Sequence, residues 1–298
     1  MNENIFGKMK KILWLLLLAL FSLMNIQAQE FKFTHEGHTL KYVRNPKGVT
    51  CDYAQSNISG TVKIPSKVYF EGDTFSVTKI EEGAFYKCHN VYCIVLPNSI
   101  KSIGNRAFSH CKNLKKIILS DSIIDLGNYT FENCLKLTSV VIPRTVTILG
   151  NSVFYNCESL QEVVLPNTIT SIGDQAFKGC LALKKINIPE SVTEIKTNVF
   201  ENCENLEKVV IPKSVKKIGA GLFFNCLNLN TVILEAETPP SIELSFTYNY
   251  IFLDTHDIVS TYELFSESQQ VPIYVPDGSV ETYKKTYRWS NMQILPKQ

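Results

Sequence analysis

The chain has 298 residues, 45% hydrophobic and 19% charged, a balance that places it with ordinary globular or repeat proteins and away from disordered tails. Lysine and arginine number 30 against 28 aspartate and glutamate, but Lys8, Lys10, Lys11 and Glu3 all fall within the first 28 residues, so the remainder is neutral. A neutral chain gives no support to a nucleic-acid binder or a polybasic membrane-surface protein, since both depend on an excess of Lys and Arg.

Residues 1–28 read as a secretory signal peptide: the basic stretch GKMKK, an apolar run from Ile12 to Met24, and Ile26-Gln27-Ala28 as a cleavage site before Gln29. The apolar run is short of the roughly 20 residues that span a bilayer, and no later stretch approaches it. The first cysteine, Cys51, is too far from the cleavage point to accept a lipid. The expected product is exported (periplasmic, secreted or at the cell surface), with no transmembrane segment after signal cleavage.

Residues 29–75 read as an N-terminal cap with a hairpin. His35-Glu36-Gly37-His38 has one residue too few between its histidines for the helical zinc-protease motif, and its glycine favours a β-turn. Ile64 and Ile80 are 16 residues apart where the equivalent Leu96 and Ile103 are 7 apart. The intervening SKVYFEGDTFSV is expected to form a hairpin about Glu71-Gly72-Asp73.

Residues 76–240 are a repeat. Cys88, Cys111, Cys134, Cys157, Cys180, Cys203 and Cys226 are each separated by 23 residues, so seven of the nine cysteines occupy one position. Three residues before each stands Phe85, Phe108, Phe131, Phe154, Phe177, Phe200 or Phe223, and three after each an aliphatic residue. A fixed period in the twenties marks a leucine-rich-repeat solenoid: a parallel β-sheet on one face, short turns or helical turns on the other, and caps at both ends. In KKINIP, inward Ile186 and Ile188 alternate with outward Lys185 and Asn187, a strand with one solvated face. Proline stops the strand, a short extended piece such as SVTEI turns the chain over the top, and the usual glycine allows a tight turn with φ > 0. The stretch before each Cys, such as DQAFKGC, is long enough for one helical turn.

Residues 241–298 read as a degenerate repeat with an insertion at 247–270 and a C-terminal cap. Phe246 keeps the 23-residue spacing from Phe223, and Asn249 replaces the cysteine. The insertion, with Tyr248, Tyr250, Phe252 and Tyr262, is either a set of contact anchors or part of the cap. A strand at Ile273-Tyr274-Val275 follows, then a helical cap in which Tyr283, Tyr287 and Trp289 cover the last coil.

Units of the form L-x-x-I-x-I-P-x-x-V-x-x-I-G-x-x-A-F-x-x-C, with the TVKIP and FSVTKIEEGAF start and the IYVPDGSVETY end, closely resemble the BspA-type leucine-rich-repeat proteins of anaerobic Gram-negative bacteria. The resemblance covers roughly residues 30–298 and implies an exported or surface-exposed solenoid. Characterised members are adhesins that bind host extracellular proteins or other bacteria, and the family has no shared catalytic residues to carry over.

Seven residues after each ladder cysteine, strand alternation points Val95, Ile118, Val141, Val164, Asn187, Val210 and Ile233 outward, beside Lys116, Glu162, Lys185 and Lys208 in the column two residues earlier. Six of the first seven are β-branched aliphatics. They are either an apolar stripe for a protein partner or residues chosen because they favour strands. The ladder cysteines read as small buried core side chains, since seven equivalent positions cannot all pair and their line is not a metal site. Alternation places Cys93 outward. No nucleotide motif, catalytic triad spacing or metal pattern is present, so neither an enzyme nor a cofactor is indicated. The expected function is non-enzymatic binding of a protein ligand, a host extracellular or bacterial surface protein. The alternatives are a structural or assembly scaffold of the bacterial envelope and a glycan-binding module.

Overall fold

The computed structural model describes residues 28–45, 48–54, 57–243, 264–265 and 271–297. The basic and apolar N-terminal segment lies outside them, as do Phe246, Asn249 and the insertion aromatics Tyr248, Tyr250, Phe252 and Tyr262.

The chain winds into a parallel β-solenoid of about eight coils with little helix. Each coil has three sides. The first is a long-strand side, on which Asn90–Val95, Lys116–Ile118, Ser139–Val141 and Glu162–Val164 pair in succession. Lys185–Asn187 lies beside Glu162–Val164 and starts a second ladder through Lys208–Ile211, Thr231–Leu234, Ile273–Val275 and Ile294–Pro296. Partners such as Val140 and Val163 are one repeat apart, so every column of the sequence is a row across the sheet. The inward rows Ile94, Ile117, Val140, Val163, Ile186, Val209 and Val232 are buried.

The extended piece after each proline is more than a connection over the top. Ser102–Ile103 pairs with Asp125–Leu126, and Ile148–Leu149, Ser171–Ile172, Glu194–Ile195, Lys217–Gly219 and Ser241–Glu243 form a ladder of their own. This is a second parallel sheet, the short-strand side.

The third side is not the helical turn that its length suggests. In each coil the residues two before the Phe and one before the Cys have φ between 53 and 75°, in the left-handed region. Asn133, Asn156, Asn198, Asn202, Asn225, Gly83, Gly179 and Gly221 hold eight of these positions, the residue types that tolerate it best. A right-handed helical run is interrupted twice. The result is that N–H groups of alternate residues leave the coil and donate to the next one: Arg106 to the Asn128 carbonyl (2.9 Å), Phe108 to Thr130 (3.0 Å) and His110 to Glu132 (2.7 Å).

The recurring glycine also has a different role from the one its sequence context suggests. Gly104, Gly127, Gly150, Gly173 and Gly219 are not in the left-handed region. A Cβ on the first four would lie 2.5–2.7 Å from an atom of the preceding coil, and closer still on Gly219. The room is used by the next residue: Asn105, Asn128, Asn151 and Asp174 each accept, on Oδ1, the backbone N–H one repeat further on, at 2.7–3.0 Å.

Inside, the seven repeat phenylalanines are fully buried and stack with ring centroids 5.4–5.8 Å apart. The rung after Phe223 is Phe265, at 5.6 Å, nineteen residues beyond the position that the 23-residue spacing marks. Beside this stack, Cys111, Cys134, Cys157, Cys180, Cys203 and Cys226 each place Sγ 3.0–3.2 Å from the carbonyl oxygen of the phenylalanine in the preceding coil. The thiol column is therefore a column of S–H···O contacts as well as small core side chains.

At the N-terminal end, β1 (Gln29–His35) and β2 (His38–Asn45) form a hairpin through Glu36-Gly37, and β3 (Gly48–Tyr53) pairs with β2. β4 (Ser59–Lys63) opens the long-strand side. β5 (Lys67–Phe70) and β6 (Asp73–Ile80) are an antiparallel hairpin turned by Glu71 and Gly72, both at positive φ. β6 joins β3 to Ser102–Ile103, so these strands extend the short-strand side.

At the C-terminal end a one-and-a-half-turn helix, α1 (Val280–Lys285), and the following turn bring Tyr283 and Trp289 onto the last coil. Both are buried. Tyr283 donates to the Ala236 carbonyl (2.9 Å) and Trp289 Nε1 to the Pro240 carbonyl (3.0 Å). Tyr287, expected to share this task, is 82% exposed and lies beside Arg288.

Candidate binding surface

The long-strand side carries the outward rows singled out by the sequence. Val95 pairs with Ile118, Val141 with Val164, Asn187 with Val210, and Val210 with Ile233, so the seven residues form one row across adjacent strands. Val141 is 65% exposed, Val164 45% and Ile118 43%, while Val95, Val210 and Ile233 are half-buried. The row runs on through two residues that sequence reasoning left out: Tyr274, the register partner of Ile233, and Leu295, the partner of Tyr274. Their signal was available in IYV and ILP, but the insertion hides the spacing that ties them to the repeat.

The outward rows of the two sheets differ in composition. The outward positions of the short strands, under the same preference for β-branched residues, are Ser102, Asp125, Ile148, Ser171, Glu194, Lys217 and Ser241. One of the seven is β-branched and aliphatic, against six on the long-strand side. The two sheets of one solenoid thus present different chemistry to solvent.

Beside the apolar row runs a second, Cys93, Lys116, Ser139, Glu162, Lys185, Lys208 and Thr231, with Cys93 half-buried and Lys116, Glu162, Lys185 and Lys208 exposed. Aliphatic side chains therefore run alongside long charged ones on one outward face.

The turn side holds a constellation that the spacing did not reveal. Ser109 Oγ lies 2.8 Å from His110 Nδ1 and 2.9 Å from Glu132 Oε2, and Asn133 Nδ2 lies 3.3 Å from His110 Nε2. Burial lowers the His110 pKa, against the pull of Glu132. The order of the groups is wrong for nucleophilic catalysis: the serine stands between histidine and carboxylate and donates its proton to Glu132, and it is fully buried. Ser109, Glu132 and Asn133 join neighbouring coils by hydrogen bonds.

The buried thiols are also chemically quiet. Burial raises the pKa of all seven ladder cysteines and of Cys51, that of Cys88 to about 11 and that of Cys226 to about 12. His35 and His38 are cross-strand partners flanking the Glu36-Gly37 turn, and His38 Nε2 is 2.8 Å from the Ser59 carbonyl oxygen. Among the described residues no group of three or more His, Cys, Asp or Glu side chains is placed to hold a metal ion, and no helix is long and apolar enough to cross a membrane.

Comparison with known proteins gives one family. Six copies of the BspA type leucine rich repeat region match the chain, over residues 78–207 and 125–256, together more than half of it. Solved structures similar to it include a leucine rich repeat protein of T. pallidum, 26% identical, covering 71% of this chain and 85% of its own, with a TM-score of 0.47. Another is a leucine-rich repeat protein from Bacteroides ovatus, 23% identical over 91% of this chain and 75% of its own, TM-score 0.47. A third is a leucine rich cell surface protein from Faecalibacterium prausnitzii, 20% identical over 90% and 95%, TM-score 0.47. A search of curated proteins finds no match.

Proposed function

Since this chain belongs to the BspA-type leucine-rich-repeat family, we propose that it is an exported, non-enzymatic binding scaffold that holds a protein partner on its long-strand side. The observation that carries this reading is the row of outward β-branched side chains in register across successive coils, six of seven positions against one of seven in the outward row of the short strands. A rigid stack of coils presents such a row as a flat, pre-formed surface, so docking costs little ordering of the scaffold. Adhesion to a host extracellular or bacterial surface protein is the use this surface suits.

The test is capture of proteins from a panel of host extracellular and bacterial surface proteins by the purified chain and by a Val141→Lys, Val164→Lys double variant. Both substitutions are at exposed positions, so the melting temperature stays within a few degrees of the parent. Saturable binding by the parent that weakens at least about tenfold in the variant supports the reading. Equal capture by both proteins removes the row from consideration, and self-association without capture points to an envelope scaffold.

A further inference from the structure

The charges beside the apolar row narrow the class of partner. Several outward lysines elsewhere on this solenoid meet acids. On the short-strand side Glu194 and Lys217 are register partners and Lys217 Nζ lies 2.9 Å from Glu243. On the turn side Lys178 lies 2.8 Å from Glu201, and in the N-terminal strands Lys41 lies 2.8 Å from Glu30 and 3.1 Å from Asp52. What marks the long-strand side is that its exposed lysines cluster in adjacent positions. Lys185 and Lys208 are register partners on adjacent strands, Lys184 is exposed next to them, and Lys115 and Lys116 are exposed three strands earlier. None of these five makes an ion pair with a described residue, although Glu162 and Glu207 are on the same side.

Like charges directly opposite one another destabilise a strand pair, so an anionic group bound between Lys185 and Lys208 relieves their repulsion. With strands about 4.8 Å apart, the Lys115–Lys116 and Lys184–Lys185 pairs are separated by about 14 Å, the interval in which Val141 and Val164 are exposed. We propose that the partner presents an acidic protein segment lying along the solenoid axis, with carboxylates on the two lysine groups and apolar side chains over Val141 and Val164. This rests on the reading of the long-strand side as the docking surface. A peptide rather than a sulfated glycan fits because the row between the lysine groups, Val141 and Val164, is aliphatic and is covered by apolar side chains that a sulfated sugar lacks.

Selection of peptides from a random library by the purified chain tests it. The enriched peptides should combine Asp or Glu with Val, Leu or Phe, and their affinity should fall about tenfold from low to high salt. Lys208→Glu, which places an acid opposite Lys185, should raise the melting temperature while weakening the selected peptide about tenfold. Lys116→Glu, whose register partners are Cys93 and Ser139, should weaken it similarly with no gain in stability. Neutral or basic peptides that lose binding to Val141→Lys would overturn the acidic partner and leave the docking side intact. Peptides indifferent to Val141→Lys would overturn both. Heparin binding without any peptide enrichment also counts against the proposal.

Discussion

A thiol in the repeat position combines two properties that alternatives have singly. It is small and apolar enough to be fully buried, as alanine would be, and it still offers a weak donor to a phenylalanine carbonyl in the coil before, as serine would at a higher desolvation cost. The same burial makes stability depend on pH in a definite direction. An unfolded cysteine ionises near pH 8.5, whereas burial holds the eight interior thiols neutral well above that. Between those limits the unfolded chain binds fewer protons than the folded one, so stability is full below about pH 8.5 and is lost as pH rises toward the folded-state values. Each thiol that ionises only on unfolding removes about 1.4 kcal/mol per pH unit. Under reducing conditions the urea midpoint should be level from pH 6.5 to 8 and fall steeply above 9. A Cys134→Ala, Cys157→Ala variant should fall less steeply, by about 2.7 kcal/mol per pH unit; an unchanged slope would show that these thiols are not held neutral. The column itself was legible in the sequence because a 23-residue period needs only counting. Its carbonyl partner was not, because the Phe–Cys contact spans 26 residues and exists only once coils stack. The glycine column was misread for a related reason: a bare Gly is consistent with either a positive φ or a close approach, and only the distance to the coil below decides between them.

The elements divide into a regular interior, where each coil is templated by its neighbours, and two ends where that support stops. Period and alternation were enough to foresee the long strands and the burial of their inward rows. They said less about the short strands, since two residues carry no alternation, and least about the C-terminal end, where the 247–270 insertion breaks the count. That is why the stacking of Phe265 on Phe223 was not foreseen, nor Ile294–Pro296 as the last long strand. What closes this end is Trp289 and Tyr283 packed at right angles, each donating to a carbonyl of the 236–240 segment. Trp289→Ala removes a buried indole and leaves the Pro240 carbonyl without its donor, a loss of about 3–5 kcal/mol. In a linear array that loss is local. Hydrogen exchange should show the strands Thr231–Leu234 and Ile273–Val275 losing protection while Ser139–Val141 and Glu162–Val164 keep theirs. A uniform loss of protection along the chain would mean that the coils unfold as one unit and that the cap has no local role.

At the scale of the whole molecule, stability is a sum over coil interfaces, and the surface is a ruler whose marks are strands. Both properties follow from in-register stacking, and one deletion separates them. Removing residues 135–157, a complete 23-residue unit, joins Cys134 to Glu158 and leaves every column continuous: Phe131 would meet Phe177, Ile117 would meet Val163, and Asn128 would receive the N–H of Asp174. The shortened chain should therefore fold, with the urea m-value reduced by roughly one coil in eight, because m tracks the area exposed on unfolding. Removing residues 135–145 instead cuts a coil in half, places outward residues in the core and should give no cooperative transition. The full-unit deletion also takes out Val141 and brings Lys116 and Lys185 from three strands apart to two. A partner matched to the original spacing should then bind at least about tenfold more weakly to a protein whose fold is intact. If affinity survives the deletion unchanged, the partner does not span the two lysine groups, and recognition lies within a single group of coils.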